Sequence, residues 1–165
     1  MPHVDESALG NERPRDCAVR LARLKAEAGA KRWPQAWIIG SDQVADHRGN
    51  AVGKPGTLEN ARAQLAAMSG EVVHFHTAIC LAHAALGRRH ERLITTEVVF
   101  RKLGSEEIER YLARESALDC AGSAKSEGLG IALLDRLRGD DPTALVGLPL
   151  IALAAILREE GFELP

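Results

Sequence analysis

The stretch Ile38-Ile39-Gly40-Ser41-Asp42-Gln43-Val44, followed by Gly53-Lys54-Pro55, decides how the rest of the chain is interpreted. An apolar run leads into an acid and an amide, and a short polar segment then returns to a lysine between a glycine and a proline. We expect a strand that delivers Asp42 to its end, with Lys54 brought back beside it. Such a pair can hold a metal or activate a water next to a phosphate. A salt-bridged turn without function is the alternative.

The length and composition indicate one domain over residues 1–165. A chain of 165 residues with 45% hydrophobic and 27% charged side chains is long enough to bury a core without disulfides or structural metals. The net charge of −2 offers no overall attraction to polymeric nucleic acid or to a membrane surface. No apolar run is long enough to cross a bilayer. A polyanionic ligand must therefore be met by a local basic pocket.

The three cysteines, Cys17, Cys80 and Cys120, are widely spaced and form no C-x-x-C pair. An odd number of cysteines, without a charged-then-apolar leader, is typical of reduced thiols. We therefore expect a cytoplasmic protein whose cysteines are structural.

Hydrophobic periodicity predicts a mixture of helices and strands. The predicted elements are helices over 14–30, 57–69, 105–114 and 148–161, strands over 36–40, 71–82 and 89–100, and a hairpin over 43–52. Residues 131–137 fit a strand or a short helix equally well. In the first helix the predicted buried face is Val19, Leu21, Leu24 and Ala28. This pattern indicates an α/β or α+β fold without internal repeats.

Acids in loop contexts are the main candidates for chemistry, namely Glu6, Asp42, Glu127 and the pair Asp140-Asp141. Hydrolysis of a phosphoanhydride needs oxygen ligands for Mg²⁺ or Mn²⁺, a carboxylate that orients water, and cations for the phosphates. Asp42, Glu6, Lys25 and Lys54 are residues of these types. Their spacing alone does not show that they converge, and solvated turn acids are the alternative.

Other common sites are not supported. Gly128-Leu129-Gly130 does not complete a dinucleotide-binding fingerprint, and no phosphate-binding P-loop motif occurs. His74 and His76 lie on one side of a predicted strand without the partners of a zinc site. Ser41 and Ser126 lack the surroundings of a serine hydrolase nucleophile.

Several of these stretches together resemble the Maf family of nucleotide pyrophosphatases, also called septum-formation proteins. The matching stretches, in the expected order along the chain, are Val4-Asp5-Glu6, Ile39-Gly40-Ser41-Asp42-Gln43-Val44, Gly53-Lys54-Pro55, Glu59-Asn60-Ala61, Met68-Ser69-Gly70 and Val146-Gly147-Leu148-Pro149-Leu150. Within the family, the stretch from Cys120 to Gly128 is similar to the branch that acts on 7-methyl-GTP.

The resemblance implies an α/β fold with a mixed, curved central sheet flanked by helices and a ligand cleft between two lobes, as in inosine-triphosphatase-like proteins. It also implies hydrolysis between the α- and β-phosphates of a nucleoside triphosphate with a divalent metal, Mg²⁺ or Mn²⁺. Asp42 matches the family's catalytic acid, and Glu6, Lys25 and Lys54 match its other polar active-site positions. Asp42 and Glu6 are the expected metal ligands.

Three residues are expected to select the substrate: Gln43, Lys125 and Glu127. The pyrimidine-specific branch has a glutamine where this chain has Glu127. A carboxylate there can accept hydrogen bonds from the N1–H and 2-amino groups of guanine, and it favours the cationic base that N7-methylation creates.

The sequence departs from the family pattern at its start. The family's N-terminal strand and its Ser-x-Ser-Pro-x-Arg-Arg loop do not occur, so we expect an N-terminally truncated sheet that lacks part of the phosphate-binding lining. A non-catalytic nucleotide-binding or interaction protein on the same scaffold is therefore an alternative to the enzyme. A homodimer formed through an open sheet edge is a further expectation.

Overall fold

The structure is a computed structural model that describes residues 4–7 and 9–165. The helices are α1 (Pro14–Arg32), α2 (Leu58–Met68), α3 (Ser105–Leu112) and α4 (Leu150–Glu159). The strands are β1 (Ile38–His47), β2 (Asn50–Val52), β3 (Val72–His83), β4 (Arg88–Phe100) and β5 (Leu134–Arg138). None of the helices in this described part of the chain combines the length and the apolar character that a membrane span requires.

The strands form one sheet in the order β2-β1-β3-β4-β5. The α/β class is confirmed, but every neighbouring pair among the described strands is antiparallel, whereas a mixed sheet was expected. Two tight turns, at Arg48-Gly49 and over residues 84–87, explain part of the difference, because strands joined by such turns must run in opposite directions.

Most predicted elements are confirmed to within a few residues. Thr57 caps α2 as expected, since its hydroxyl accepts a hydrogen bond from the Asn60 N–H. Residues 131–137 contain both predicted alternatives, because a 3₁₀ turn over Leu129–Leu133 leads directly into β5.

Strand β1 is longer than the sequence pattern predicts. It pairs with β3 without interruption from Ile38, opposite Ala82, to Asp46, opposite His74. Asp42 therefore lies in the middle of the strand, opposite Ala78, and the prediction that it stands at a strand end was wrong. The polar residues after Gly40 remain in the sheet because β3 supplies backbone partners along this whole length.

Helix α1 packs closely on one face of the sheet through small side chains. Alanines at every fourth position are buried there: Ala18, Ala22, Ala26 and Ala30. A methyl group added to Gly40 of β1 would stand 2.2 Å from the carbonyl oxygen of Ala22. Of the predicted face, only Leu21 is buried, because small side chains and not large ones allow this close approach.

The opposite face of the sheet carries the other three helices. Near the start of β3, Val73 and Phe75 pack with α2 and α3, and near its end Ile79 and Leu81 pack with α4. Alternation along β3 therefore divides the core between α1 on one side and α2, α3 and α4 on the other.

The segment before α1 is tied to the helix by an ion pair. Arg20 donates from Nε and Nη2 to the two carboxylate oxygens of Glu12, each at 2.7 Å. The Glu12 side chain is only 11% exposed. The hydrogen bonds from Arg20 lower the pKa of Glu12 to about 2.

We predict that Gly40→Ala destabilises the protein, because the added methyl group collides with the backbone of α1. The expected fall in melting temperature is roughly 5–10 °C, as for overpacked cores. Thermal unfolding followed by circular dichroism checks this. Gly10→Ala is the control, because no atom of residues 4–7 or 9–165 lies within 4 Å of its added methyl group. Equal melting temperatures for the two variants would contradict the packing described for α1.

We predict that Glu12→Gln lowers stability at neutral pH and that the difference from the parent protein shrinks in acid. Because the pKa of Glu12 is lowered in the folded state, its stabilising effect is complete above about pH 4.5 and is lost as the pH falls toward 2. At pH 7 the melting temperature should fall by roughly 3–6 °C.

Melting curves between pH 2.5 and 7 measure this effect, with Glu163→Gln at an exposed position as the control. A deficit for Glu12→Gln that stays constant over this pH range would show that the ion pair does not stabilise the fold.

Candidate active site

Three of the predicted catalytic residues meet around one ammonium group. Lys25 Nζ lies 2.6 Å from Asp42 Oδ1 and 2.8 Å from Glu6 Oε1. The three residues come from α1, from the middle of β1 and from the segment before α1. The close packing of α1 on Gly40 brings Lys25 within reach of Asp42, two residues further along the strand.

Burial decreases from Asp42 through Lys25 to Glu6, whose side chains are 11%, 29% and 51% exposed. Burial raises the pKa of Asp42 above its ordinary value, because the hydrogen bond from Lys25 offsets only part of the desolvation. Burial also acts to lower the pKa of Lys25, but hydrogen bonds to the two carboxylates outweigh it, so that this pKa is raised. The hydrogen bond from Lys25 lowers the pKa of Glu6.

These residues line a cavity of about 410 Å³, large enough for a small ligand. Four charged residues line it, namely Glu6, Lys25, Asp42 and Lys54, together with Gln43, whose side-chain amide is bound on the other face of the sheet. The other lining residues are small or apolar: Cys17, Leu21, Val44, Ala51, Val52, Gly53 and Ala121. The cavity thus lies between α1 and the hairpin of β1 and β2. Both charged and apolar residues therefore line it.

Lys54 lies in the loop after β2 and is exposed. It lines the same cavity, and its positive charge acts to lower the pKa of both Glu6 and Asp42. The expectation that the chain returns Lys54 to the region of Asp42 agrees with this placement, although β2 and the turn at Arg48-Gly49 separate the two residues.

A larger hollow of about 570 Å³ lies between the end of α1 and the turn that joins β3 and β4. Among the described residues that line it, Glu27 is the one carboxylate, and it is already bound by Arg89 at 3.0 Å. Alanines form much of the wall. It lacks the convergent acids that the smaller cavity contains.

Gln43 points away from Asp42 because adjacent residues of a strand face opposite sides of the sheet. Its amide nitrogen donates to the Thr77 hydroxyl and to the carbonyl oxygens of Ala144 and Leu145, each at 3.0 Å. Ser41, on the same side, donates to the Gly147 carbonyl at 2.7 Å. Both side chains fasten the segment 144–147 to the sheet.

The structure does not bring Glu127 and Lys125 into the cavity lining. Glu127 is exposed, and Lys125 pairs with Asp119 at 3.1 Å. Both belong to the loop over 121–130, and the first residue of that loop, Ala121, does line the cavity. Their role in substrate selection stays a prediction.

Two further candidates from the sequence have structural roles. Asp141 is 2% exposed, and its carboxylate accepts hydrogen bonds from the N–H groups of Ile151 and Ala152 in the first turn of α4. Negative charge at a helix N-terminus is stabilising. His76 hydrogen-bonds Asp46 and Thr95 within the sheet, and so belongs to no metal site.

Sequence patterns did not predict the apolar residues of the cavity or the contacts around Glu6. Cys17, Leu21 and Lys25 follow at intervals of four residues, and this helical spacing predicts a shared face once Lys25 is known to be functional. Burial raises the pKa of the Cys17 thiol, which suits a wall residue. No sequence signal identifies Arg20 and Glu12, which are eight residues apart.

The donor set is compatible with a divalent cation that is held jointly with a ligand. The described residues include no cluster of three or more His, Cys, Asp or Glu side chains arranged to hold a metal. Asp42 and Glu6 nevertheless direct carboxylate oxygens at one point, which Lys25 Nζ occupies. Small hard cations are commonly bound by one or two carboxylates together with water and substrate phosphates.

The chain is similar to several named proteins over nearly its whole length. The chain is 60% identical to a 7-methyl-GTP pyrophosphatase of Xanthomonas campestris pv. campestris, over 99% of this chain and 85% of that protein. It is 57% identical to a protein of the same name from Aromatoleum aromaticum, over 99% and 84% of the two chains. It is 53% identical to another from Burkholderia thailandensis, over 99% and 77%.

The sequence profile of the Maf-like protein family matches residues 1–160, nearly the whole chain. The resemblance noted on individual stretches is therefore confirmed, and the chain belongs to the Maf-like protein family.

Proposed function

We propose that this protein is a nucleoside triphosphate pyrophosphatase that hydrolyses 7-methyl-GTP to the nucleoside monophosphate and pyrophosphate. The observation that supports this most directly is the convergence of Asp42 and Glu6 on Lys25 in a cavity of about 410 Å³. Relatives 53–60% identical to the chain are named 7-methyl-GTP pyrophosphatases.

In the proposed reaction, Asp42 accepts a proton from the attacking water. The water oxygen bonds to the α-phosphorus, the bond from that phosphorus to the bridging oxygen breaks, and pyrophosphate leaves. Burial suits Asp42 to this role, because a raised pKa makes a carboxylate a stronger base than an exposed one. Its position on a rigid strand fixes the direction from which the water is held.

Lys25 and Lys54 stabilise the negative charge of the triphosphate in this proposal. Phosphoryl transfer depends mainly on positioning and on charge stabilisation, so two ammonium groups in one cavity are the residues that it requires. Asp42 and Glu6 are the proposed ligands of Mg²⁺ or Mn²⁺, which when bound neutralises phosphate charge beside the reacting centre.

For the base we propose recognition by the loop over 121–130. The exposed carboxylate of Glu127 can accept two hydrogen bonds from a guanine, and Ala121 connects this loop to the cavity wall. Lys125 and Gln43 remain the other proposed selectivity residues. The three hydrogen bonds of the Gln43 amide nitrogen favour an indirect role, through the placement of segment 144–147.

We propose further that the protein acts in the cytoplasm on free nucleotides. Its three cysteines are all free thiols, as is usual in a reducing compartment.

We predict that the purified chain releases pyrophosphate from 7-methyl-GTP at least about tenfold faster than from GTP, UTP or dTTP. The reason is that the proposed carboxylate of Glu127 attracts the positive charge of the methylated base. The assay contains Mg²⁺ or Mn²⁺, and excess chelator should abolish the release. Titration calorimetry with the same nucleotides accompanies it. Metal-dependent binding without turnover would favour the non-catalytic alternative, and neither binding nor turnover would reject nucleotides as ligands.

We predict that Asp42→Asn lowers kcat/KM by about 10²–10⁴-fold, as expected for loss of a general base. The melting temperature should not fall, because the substitution removes a buried charge and keeps an oxygen that can accept from Lys25. Asp46→Asn is the matched control, since Asp46 lies on the same face of β1 and binds His76 outside the cavity. Equal kinetic losses in the two variants would contradict the role of Asp42.

A further inference from the structure

Glu6 is the least firmly supported member of the candidate active site. Asp42 lies in the sheet and Lys25 in a helix, but Glu6 belongs to an irregular segment and its side chain is 51% exposed. Its place beside Lys25 therefore depends on whatever holds that segment against α1.

Arg20 makes the contacts that hold it. Besides its two bonds to Glu12, the Nη2 group of Arg20 donates to the backbone carbonyl of Ser7 at 3.0 Å. Ser7 is the residue next to Glu6. Arg20 thus grips the segment at two points, one directly after Glu6 and one near the start of α1.

Two further hydrogen bonds hold the backbone of this segment in place. The second carboxylate oxygen of Glu12 also accepts a hydrogen bond from the Leu9 N–H at 3.2 Å. Closer to Glu6, Asp5 accepts one from the Ser7 N–H at 2.9 Å. Local hydrogen bonds of this kind fix a turn without regular secondary structure.

We propose that Arg20 is a positioning residue that holds the Glu6 carboxylate on Lys25 through Glu12 and the Ser7 carbonyl. Arg20 and Glu12 do not line the cavity, so neither touches a ligand directly. Arg20 Nη2 also lies 3.6 Å from Sγ of Cys17, which does line the cavity, but an effect that passed through Cys17 would not depend on Glu6. The expected effect of Arg20 on catalysis rests on the proposed function. Its effect on the position of Glu6 rests on geometry alone.

The geometry requires an arginine. A planar guanidinium can bind both oxygens of one carboxylate and a third acceptor at the same time, whereas an ammonium group acts as a single point. Arg20→Lys keeps the charge and the helix but loses this fork. We therefore expect the segment before α1 to be held more weakly against the helix, so that Glu6 no longer stays beside Lys25.

A double-mutant cycle separates positioning from general stability. It compares the parent protein, Arg20→Lys, Glu6→Gln and the double variant. In the parent protein, Arg20→Lys should lower kcat/KM about tenfold, which is typical of residues that orient active-site groups. In the Glu6→Gln background the same substitution should lower kcat/KM less than about twofold. Its effect on melting temperature should be the same in both backgrounds. An equal kinetic loss in both backgrounds would overturn the proposal.

A second readout does not depend on catalysis. Two carboxylates shield the Lys25 amine, so Arg20→Lys should increase its rate of modification by an amine-reactive reagent several-fold, as measured by mass spectrometry. In the Glu6→Gln background no further increase is expected, and Lys102, which is exposed, should react equally in all four proteins. An increase that persists without Glu6 would overturn the proposal, as would no increase at all.

Glu12→Gln is the second variant and should give both effects to a smaller extent, because it removes the negative charge that Arg20 binds but keeps one oxygen acceptor and leaves the bond to the Ser7 carbonyl. Absence of turnover in the parent protein would count against the proposed function alone. The labelling cycle would then still decide whether Arg20 positions Glu6.

Discussion

The contact between Lys25 and Asp42, at 2.6 Å, is the interaction on which the candidate site depends. A carboxylate that is only 11% exposed is unfavourable unless a charge or hydrogen bond compensates it. Lys25 can supply this charge only because α1 lies close to β1, and this closeness needs the alanines of the helix and the missing side chain of Gly40. The small residues of the core thus determine the electrostatics of the site.

Local patterns predicted the elements well, because a helix or strand mostly reflects its own residues. The long strand β3 and the cap at Thr57 are examples. The convergence of Glu6, Lys25 and Asp42 could not be derived in this way, since they come from three different parts of the chain and meet only through tertiary packing. Their catalytic roles were predicted from the resemblance to a family. Their spacing alone was equally compatible with solvated acids in turns.

Two features of the site were not predicted correctly, namely the end of β1 and the position of the loop that contains Glu127. The end of β1 was misplaced because polar residues after Gly40 looked like a turn, although β3 pairs with them up to Asp46. Once β1 is known to continue, the two-residue period of a strand already requires Asp42 and Gln43 to face opposite sides. The loop that contains Glu127 has no period, so its position relative to the cavity could not be predicted from the sequence.

The three members of the site differ in how firmly they are fixed, and this order suits the proposed reaction. In that proposal Asp42 orients a water, and it lies on β1, which is paired with strands on both sides. Lys25 is paired with two carboxylates. In the same proposal we expect it to turn to a phosphate when a cation takes its place beside them. Glu6 lies on the irregular segment and its side chain is 51% exposed, so it can move when the cation replaces Lys25 without disturbing the core. Binding of the triphosphate and of a cation should therefore be coupled through Lys25, with the grip of Arg20 limiting how far Glu6 moves.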